Sequence, residues 1–174
     1  MTKPVSIPAE DDGLALQAAF EAKIVAPGEL ADRLAREPRP LVFTNGCFDI
    51  LHRGHVTLLA QARALGAALI VALNSDASVK RLGKGNDRPV NALADRLAVI
   101  AALEFVSLVT WFDEDTPIAR ILDCRPEVLV KGGDWPLEKI VGNREVTGWG
   151  GRVVSVPFIH HKSTTALLDK IRSL

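Results

Sequence analysis

The chain has 174 residues, of which 48% are hydrophobic, 24% charged and 5% aromatic. This composition is typical of a globular protein of about one domain, and it excludes intrinsic disorder as the main state. The 21 basic and 21 acidic residues cancel to a formal net charge of zero, which argues against binding to nucleic acid or to a membrane surface.

The sequence of residues 1–39 predicts two helices and shows no pattern of catalytic or ligand-binding residues. Apolar side chains recur at helical spacing over residues 14–24, and a Pro-Gly pair then breaks the pattern. Leu30 and Leu34 mark a second short helix, which stops before the next proline. We therefore expect residues 1–39 to form an N-terminal helical extension, an accessory arm that packs on the main domain.

From residue 40 onward, short apolar runs alternate with helical patterns. Strands are predicted at residues 41–44, 68–73, 105–111, 127–130 and 153–156, and helices around residues 58–65, 93–103, 116–122 and 163–174. Apolar strands separated by helices are typical of a parallel sheet that is covered on both faces. Residues 40–174 thus predict an α/β fold, a Rossmann-like parallel sheet of about five strands with helices on both faces. Ligands of such sheets bind beyond the carboxyl ends of the strands.

The stretch with the clearest chemistry is TNGCFDILHRGH, residues 44–55, directly after the first predicted strand. Gly46 allows a sharp exit from the strand and lets a ligand approach backbone N–H groups. His52 and His55 are three residues apart at a helix start, which turns both imidazoles to one side. That helix end also offers unpaired N–H groups and a positive dipole, and Gly54 leaves room for a nucleotide. The motif therefore predicts a phosphate-binding site.

Two other interpretations of this motif stay open. In the plainer one, one histidine caps the helix and the other is solvated. In the other, the histidines bind zinc, although neither His160-His161 nor the two cysteines supply partner ligands at a matched spacing. No G-x-G-x-x-G follows the first strand, which argues against a dinucleotide-dependent oxidoreductase.

A second candidate phosphate site lies near the C-terminus. Lys162 precedes three hydroxyl residues, Ser163, Thr164 and Thr165, and an amphipathic helix follows. One hydroxyl is enough to cap a helix, and capping alone is the alternative interpretation. Three hydroxyl residues beside a lysine favour an anion site for the outer phosphates of a nucleoside triphosphate.

Together these motifs resemble the nucleotidyltransferase superfamily that carries an H-x-G-H motif and a late S-T-T motif. Within it, the chain is most similar to the bacterial D-glycero-β-D-manno-heptose 1-phosphate adenylyltransferases, which form the nucleotidyl-transferring half of ADP-heptose synthases. The similarity covers about residues 40–174 and follows the family order TNGCFDILHRGH, LNSDASVKRLGKGNDRPV, VLVKGGDW and STT. KGGDW also resembles an element of glycerol-3-phosphate cytidylyltransferases, which are the main rival family.

The resemblance implies roles for individual residues. His52, His55, Arg88 and Lys162 would be the catalytic donors that neutralise charge on the triphosphate. Nucleotide-binding positions would be Asn45, Gly46, Cys47, Phe48, Asp49, Gly54, Lys131, Gly132, Asp134, Ser163, Thr164 and Thr165. Lys80 and Arg96 would offer positive charge to phosphates of the nucleotide or the sugar. No protein residue is expected with confidence as a metal ligand.

The reaction that the resemblance implies is transfer of AMP from ATP to D-glycero-β-D-manno-heptose 1-phosphate. Its products would be pyrophosphate and ADP-heptose for the inner core of lipopolysaccharide, and Mg²⁺ would accompany ATP. A phosphate monoester is already an anionic nucleophile, which fits the lack of a Ser/His/Asp or Cys/His constellation. The alternatives are a cytidylyltransferase acting on glycerol 3-phosphate or a similar alcohol phosphate, and a nucleotide-binding sensor without turnover.

The expected partners are ATP and a sugar 1-phosphate, with no nucleic acid and no membrane, and a homodimer is expected. The chain has two cysteines, an N-terminus without the apolar core of a secretory signal, and no run of about 20 apolar residues. These features predict a cytoplasmic protein. Family members are often fused to a sugar kinase domain, for which residues 1–39 are too short. The resemblance therefore implies a stand-alone transferase served by a separate heptose kinase and phosphatase.

Overall fold

The computed structural model describes residues 18–83, 85, 87–157, 159 and 164–174. Its strands are β1 (Leu41–Gly46), β2 (Ala68–Asn74), β3 (Leu108–Phe112), β4 (Val128–Gly132) and β5 (Arg152–Val156). Its α-helices are α1 (Leu30–Leu34), α2 (Arg53–Arg63), α3 (Asp76–Arg81), α4 (Leu93–Ala101), α5 (Ile118–Cys124), α6 (Asn143–Gly148) and α7 (Thr164–Arg172). Short 3-10 helices span Ala19–Lys23, Pro27–Glu29 and Leu137–Lys139. The predicted α/β fold is confirmed.

The five strands form one sheet in the order β3-β2-β1-β4-β5, and every neighbouring pair is parallel. The chain runs outward from β1 through β2 to β3, and then crosses back to place β4 on the other side of β1. The strand order thus reverses between β1 and β4. A crevice opens at the carboxyl ends of two such strands, because the connections that follow them leave on opposite faces of the sheet.

Both faces of the sheet are covered by helices. Side chains alternate along a strand, so β1 sends Leu41 and Phe43 into one cluster of buried residues and Val42 into the other. Helices α1, α5 and α6 cover the first face, and α2 and α4 cover the second. Because both faces are buried, β2 is buried along its whole length, which explains its unbroken apolar sequence.

The N-terminal segment contributes to the core more than an accessory arm does. Val25, Leu30 and Leu34 are buried in the same cluster as the first face of the sheet. The backbone also joins the edge of β3, since the Val25 N–H donates to the Val109 carbonyl at 2.8 Å. Helix α1 matches the second predicted helix. Of the first predicted helix, the described part is only the short 3-10 turn, and residues 1–17 lie outside the described residues.

The helices are short, which limited their prediction. Helices α3 and α6 have six residues each and lack a sequence prediction, because fewer than two turns show no clear period. The longest helix in the described part of the chain, α2, has 11 residues. None of the described helices is long and apolar enough to cross a membrane.

Candidate active site

A cavity of about 530 Å³ opens at the crevice between β1 and β4. It is bounded by the loop after β1, the start of α2, the end of β4 and the start of α7. Its lining residues are Asn45, Gly46, Cys47, Phe48, Asp49, His52, His55, Leu58, Arg88, Lys131, Gly132, Trp135, Thr164 and Thr165. Most of the site residues predicted from sequence therefore meet in one place, although they come from distant parts of the chain.

The loop after β1 turns sharply at Gly46 and Phe48. Phe48 has a φ of 45°, in the left-handed region that residues other than glycine rarely adopt. Its ring packs against Gly46, where an added Cβ would lie 3.0 Å from the ring atom Cε2. A side chain at position 46 would have to displace this ring, so the loop geometry requires glycine there.

His52 and His55 form a stacked pair at the start of α2. Their ring centroids are 3.8 Å apart with 19° between the planes, and the Phe48 ring meets His55 edge-on at 5.2 Å. His52 is the N-cap residue of α2, but its side chain makes no capping hydrogen bond. The capping interpretation therefore fails for His52, and both histidines line the cavity.

Burial lowers the pKa of His52, because removal from water disfavours the charged imidazolium. The Nδ1 atom of His52 is buried and has no hydrogen-bond partner among the described residues. The surroundings of His52 therefore favour the neutral form of its ring. An anion beside the ring favours its protonated form, so the binding of a phosphate raises the pKa of His52 again.

Asp49 is buried beside the cavity and holds Arg88 in place. Its carboxylate accepts the Nε–H of Arg88 and the backbone N–H groups of Val90 and Asn91, the latter two at 2.8 and 2.9 Å. The Asn91 side chain returns a hydrogen bond to the Asp49 carbonyl at 2.5 Å. Asp49 thus ties residues 88–91 to the loop after β1, and this places Arg88 at the cavity wall.

The charge state of Asp49 follows from these contacts. Burial by itself raises the pKa of Asp49, but the N–H groups of Asn91 and Val90 and the Arg88 guanidinium outweigh it, so this pKa lies below its ordinary value. The two ionised side chains are 0% and 6% exposed. Asp49 engages Nε of Arg88, and the terminal nitrogens of Arg88 make no hydrogen bond within the described residues. Those nitrogens are the donors that Arg88 offers to a ligand.

Arg96 lies behind the cavity wall, which is at odds with the predicted phosphate contact. It is 1% exposed and is not among the lining residues. Its guanidinium donates to the carbonyls of Cys47 at 2.7 Å and Asn91 at 3.0 Å, and to the carboxylate of Asp76 at 2.7 Å. The donors of Arg96 are thus taken up by the protein, and the loop after β1 is one of their targets.

Other predicted positions also lie away from the lining. Lys80 on α3 and Asp134 after β4 are exposed and outside the cavity, and Gly54 is buried in the first turn of α2. Lys162 and Ser163 lie outside the described residues, as do His160 and His161. The roles assigned to Lys162 and Ser163 therefore stay predictions.

Helix α7 begins at the cavity with two of the three predicted hydroxyl residues. Thr164 and Thr165 both line the cavity, across from the loop after β1. Thr164 is buried, and its hydroxyl lies 3.5 Å from the Ile50 carbonyl. The hydroxyls and N–H groups of this helix start face the same space as the histidine pair, an arrangement that suits a chain of phosphates.

A second cavity of about 300 Å³ adjoins the first. Its lining residues are Asn45, Gly46, Cys47, Asn74, Leu82, Phe112, Asp115, Thr116, Pro117, Lys131, Trp135, Lys139, Ile140 and Val141. From the sequence, no role was assigned to these residues after β2 and β3: Asn74 and Leu82 lie within the stretch LNSDASVKRLGKGNDRPV, whereas the residues after β3 belong to none of the four motifs. Their position directly after predicted strands was the available signal, since the carboxyl ends of parallel strands meet at one edge of the sheet.

Lys131 and Trp135 stand between the two cavities, because both residues line each of them. Trp135 is 51% exposed, and its indole N–H donates to the Gly132 carbonyl at 3.1 Å. The loop after β1 is shared as well, through Asn45, Gly46 and Cys47. A group in one cavity therefore lies beside a group in the other, and the cation of Lys131 is common to both.

The described part of the chain contains no group of three or more His, Cys, Asp and Glu side chains that is able to hold a metal ion. Asp49, which lines the same cavity as the histidine pair, is already engaged by Arg88 and two backbone N–H groups. A divalent cation at this site would therefore depend on ligands that come with the nucleotide.

Comparison with known proteins identifies the family. The model of the cytidylyltransferase-like family matches residues 43–167. The D-beta-D-heptose 1-phosphate adenylyltransferase of Bordetella bronchiseptica is 57% identical over 157 residues, which cover 89% of this chain and 97% of that protein. The chain therefore belongs to the cytidylyltransferase-like family and, within it, to the D-beta-D-heptose 1-phosphate adenylyltransferases. The resemblance inferred from the four motifs is confirmed, and the glycerol-3-phosphate branch is disfavoured.

Other relatives of this adenylyltransferase family are much longer. The bifunctional protein HldE of Hahella chejuensis is 54% identical over 132 residues, which cover 76% of this chain and 28% of that protein. The HldE of Campylobacter fetus is 49% identical over 153 residues, which cover 88% of this chain and 32% of that protein. The chain thus spans about three-tenths of these bifunctional relatives.

Solved structures share the fold. A lipopolysaccharide core biosynthesis protein from Thermoplasma volcanium matches with a TM-score of 0.57 and 26% identity, covering 70% of this chain and 98% of that one. A pantoate-beta-alanine ligase from Francisella tularensis matches with a TM-score of 0.58 and 13% identity, and the match covers 87% of this chain and 78% of that one. At that identity the second likeness concerns the fold alone.

Proposed function

We propose that this chain transfers the adenylyl group of ATP to D-glycero-β-D-manno-heptose 1-phosphate, releasing pyrophosphate and ADP-heptose for the inner core of lipopolysaccharide. The observation that carries the proposal is the pair of adjoining cavities that share Lys131 and the loop after β1. A two-substrate transfer needs two such spaces, with the reacting atoms at their junction. The choice of substrates rests on the 57% identity to the Bordetella enzyme.

The larger cavity suits ATP. The histidine pair and Arg88 supply hydrogen-bond donors on one wall, and the start of α7 supplies hydroxyls on another. Burial lowers the pKa of His52, whereas a triphosphate beside the ring would raise it, so binding favours the charged imidazolium where the phosphates lie. Buried Asp49 keeps the Arg88 guanidinium from swinging into solvent, which reduces the reorganisation needed during the reaction.

The smaller cavity suits a sugar phosphate. Its polar lining residues can bind sugar hydroxyls; they are Asn45, Asn74, Asp115 and Thr116. The rest of the cavity wall is mainly apolar. Lys131 stands at the junction with the larger cavity, where the acceptor phosphate has to meet the α-phosphate of ATP. A cation there lowers the repulsion between two anions that must come within bonding distance.

In the transfer itself, an oxygen of the sugar 1-phosphate forms a bond to the α-phosphorus of ATP. The bond from that phosphorus to the oxygen bridging to the β-phosphate breaks, and this oxygen leaves as part of pyrophosphate. The attacking oxygen is already anionic, so no side chain has to remove a proton. The protein contributes positioning and charge neutralisation, the two effects that dominate phosphoryl-type transfers.

Magnesium enters this scheme as part of the MgATP substrate. Triphosphate oxygens and waters supply most ligands of Mg²⁺ in such complexes. Asp49 is committed to Arg88, so the proposal assigns no protein ligand to this ion. Mg²⁺ would neutralise charge on the leaving pyrophosphate.

The proposal is tested by measuring pyrophosphate release for four nucleoside triphosphates against a panel of acceptors. The panel contains both anomers of the heptose 1-phosphate, glucose 1-phosphate and glycerol 3-phosphate. ATP with the β-anomer is expected to give the highest kcat/KM. A preference for CTP with glycerol 3-phosphate would instead establish the cytidylyltransferase alternative, and nucleotide binding without pyrophosphate release from any pair would indicate a sensor.

A variant of the smaller cavity tests where the acceptor binds. Lys139→Ala is expected to raise KM for the sugar phosphate by about 2- to 5-fold, the scale of one partly solvated charge, with KM for ATP unchanged. Lys170→Ala, an exposed lysine in the last turn of α7, serves as the matched control. An equal effect of the two variants on the acceptor KM would remove the acceptor from this cavity.

We further propose that a separate heptose kinase and phosphatase supply the sugar 1-phosphate, and that the enzyme works in the cytoplasm as a homodimer. ATP and a phosphorylated sugar are intracellular metabolites, which supports the cytoplasmic assignment.

Sedimentation of the purified protein tests whether it is a dimer. A single monomeric species at micromolar concentration contradicts the dimer. Pyrophosphate release from cell extract supplied with unphosphorylated heptose, lost when the candidate kinase is deleted, tests the supply route.

A further inference from the structure

Among the described residues, Arg96 is the largest fully buried side chain, it lines neither cavity, and one of its contacts is with the loop after β1. One terminal nitrogen donates to the Cys47 carbonyl at 2.7 Å, and the other donates to the Asp76 carboxylate at 2.7 Å. The Nε–H donates to the Asn91 carbonyl at 3.0 Å. All three branches of the guanidinium are thus used, and the position of the group is fixed.

The contact with Cys47 determines which way the next peptide faces. The Cys47–Phe48 peptide is trans, so its carbonyl oxygen and its N–H point in opposite directions. Arg96 lines neither cavity, so the carbonyl that it holds faces the interior of the protein, and the N–H on the opposite edge of the same peptide faces the other way. Among the described residues this N–H has no acceptor. It belongs to the residue with the left-handed φ of 45°, a conformation that needs external support.

We propose that Arg96 is a positioning residue, which turns the Phe48 N–H into the larger cavity to donate to a non-bridging oxygen of the α-phosphate. The inference rests on the proposed transfer, and it adds a residue that touches neither substrate. Negative charge on that oxygen is where a fixed donor stabilises the transition state most. The Arg96 charge also polarises the peptide from behind, which strengthens its N–H as a donor.

Lysine cannot replace arginine in this role. The ammonium group is a single point with no planar fork, so it cannot hold the Cys47 carbonyl, the Asn91 carbonyl and Asp76 in their present directions at once. Arg96→Lys therefore keeps a positive charge behind the loop but loosens the peptide. The effect is expected on kcat, by about tenfold or more, with a smaller effect on the KM of ATP.

The first test compares the two diastereomers of ATPαS, in which sulfur replaces one or the other non-bridging α-oxygen. Sulfur is a weak hydrogen-bond acceptor, so the wild type is expected to react more slowly with the diastereomer that places sulfur opposite Phe48. In Arg96→Lys the ratio of the two rates is expected to move about tenfold towards one. Arg39→Lys is the control, because Arg39 also holds a backbone carbonyl and a carboxylate, at the opposite end of β1.

The contribution of Mg²⁺ to the diastereomer ratio is the same in wild type and variant, so the change in the ratio reports on the protein. A ratio that is unchanged in Arg96→Lys, or a loss of rate that is equal for ATP and both analogues, overturns the proposal. A change of the same size in Arg39→Lys overturns it too.

The second test needs no variant and applies even where Arg96→Lys does not fold. In the ¹⁵N-labelled wild type, the Phe48 amide proton is expected to move downfield when the magnesium complex of α,β-methylene-ATP binds. An unmoved Phe48 amide in the saturated complex overturns the inference, whatever the reaction proves to be. Absence of AMP transfer in the wild type would instead count against the proposed function, while the amide shift still decides the position of the donor.

Discussion

Asp49→Asn is the substitution whose effect the structure specifies best. The asparagine has nearly the same shape, but it removes the charge that faces Arg88 and turns one acceptor oxygen into a donor. The side chains of Asp49 and Arg88 are 0% and 6% exposed, so water cannot replace the lost contact. The new amide group also faces the N–H groups of Val90 and Asn91, which need an acceptor.

Removing one partner of a buried ion pair costs about 3–5 kcal/mol, because the other charge stays buried without compensation. For a protein of this length, about 1 kcal/mol lowers Tm by roughly 2–4 °C. Asp49→Asn is therefore expected to lower Tm by about 6–20 °C near neutral pH. The exposed pair of Arg172 and Asp169, at 4.0 Å, offers a control, and Asp169→Asn is expected to change stability by less than about 0.5 kcal/mol.

The pH dependence gives a second readout of the same pair. The folded-state pKa of Asp49 lies below the ordinary value of 3.8, so the unfolded state binds a proton before the folded state does. The stability that Asp49 contributes is thus complete above about pH 5 and is lost as the pH falls through the lower, folded-state pKa. Thermal unfolding of wild type and Asp49→Asn is measured from pH 7 to pH 3, and the difference between them is expected to shrink only in the acid range.

Two results would refute this account of Asp49. One is a loss of less than about 1 kcal/mol at pH 7, the scale of an exposed pair. The other is a double variant, Asp49→Asn with Arg88→Gln, that is as unstable as the sum of the two single variants. Because the pair is in direct contact, the double variant is expected to be more stable than that sum.

Three further predictions concern side chains that line the cavity. His52→Ala and His55→Ala are each expected to lower kcat by at least about 100-fold, the scale of one lost transition-state donor, with little change in Tm. Binding of MgATP at pH 7 is expected to take up protons in the wild type but not in His52→Asn. The reason is that the pKa of His52, which burial lowers, rises beside the triphosphate. Calorimetry in buffers of different ionisation enthalpy measures this proton uptake. Iodoacetamide is expected to label Cys47 at pH 8, with protection by MgATP, and to leave Cys124 unlabelled, because burial raises the pKa of Cys124 to about 12.

Each of these has a plain contradicting result. Near wild-type kcat in both histidine variants removes the pair from the reaction. Proton uptake that persists in His52→Asn assigns the titration to another group. Labelling of Cys124 before unfolding contradicts its burial in α5, and Cys47→Ser, which is expected to keep most of its activity, identifies the labelled site.

The sequence alone determined the fold class and the centre of the site. Buried parallel strands have to be apolar along their length, so β1, β2 and β4 are visible as short apolar runs. The H-x-G-H motif is local as well: a helix places residues three apart on one side, and the stacked pair of His52 and His55 follows from that spacing. Such features depend on neighbours in the chain, which a sequence displays directly.

Only the tertiary structure decided the contacts between segments that are distant in the sequence. Arg88 and Arg96 are both basic residues in polar surroundings of the sequence, yet one lines the cavity and the other is buried behind it. Their difference depends on Asp49 and on the Cys47 carbonyl, which lie about 40 to 50 positions earlier in the chain. The second cavity likewise exists only because the ends of β1, β2, β3 and β4 meet at one edge. Periodicity reports which face of an element is buried, whereas the partner of a buried charge depends on how the elements pack.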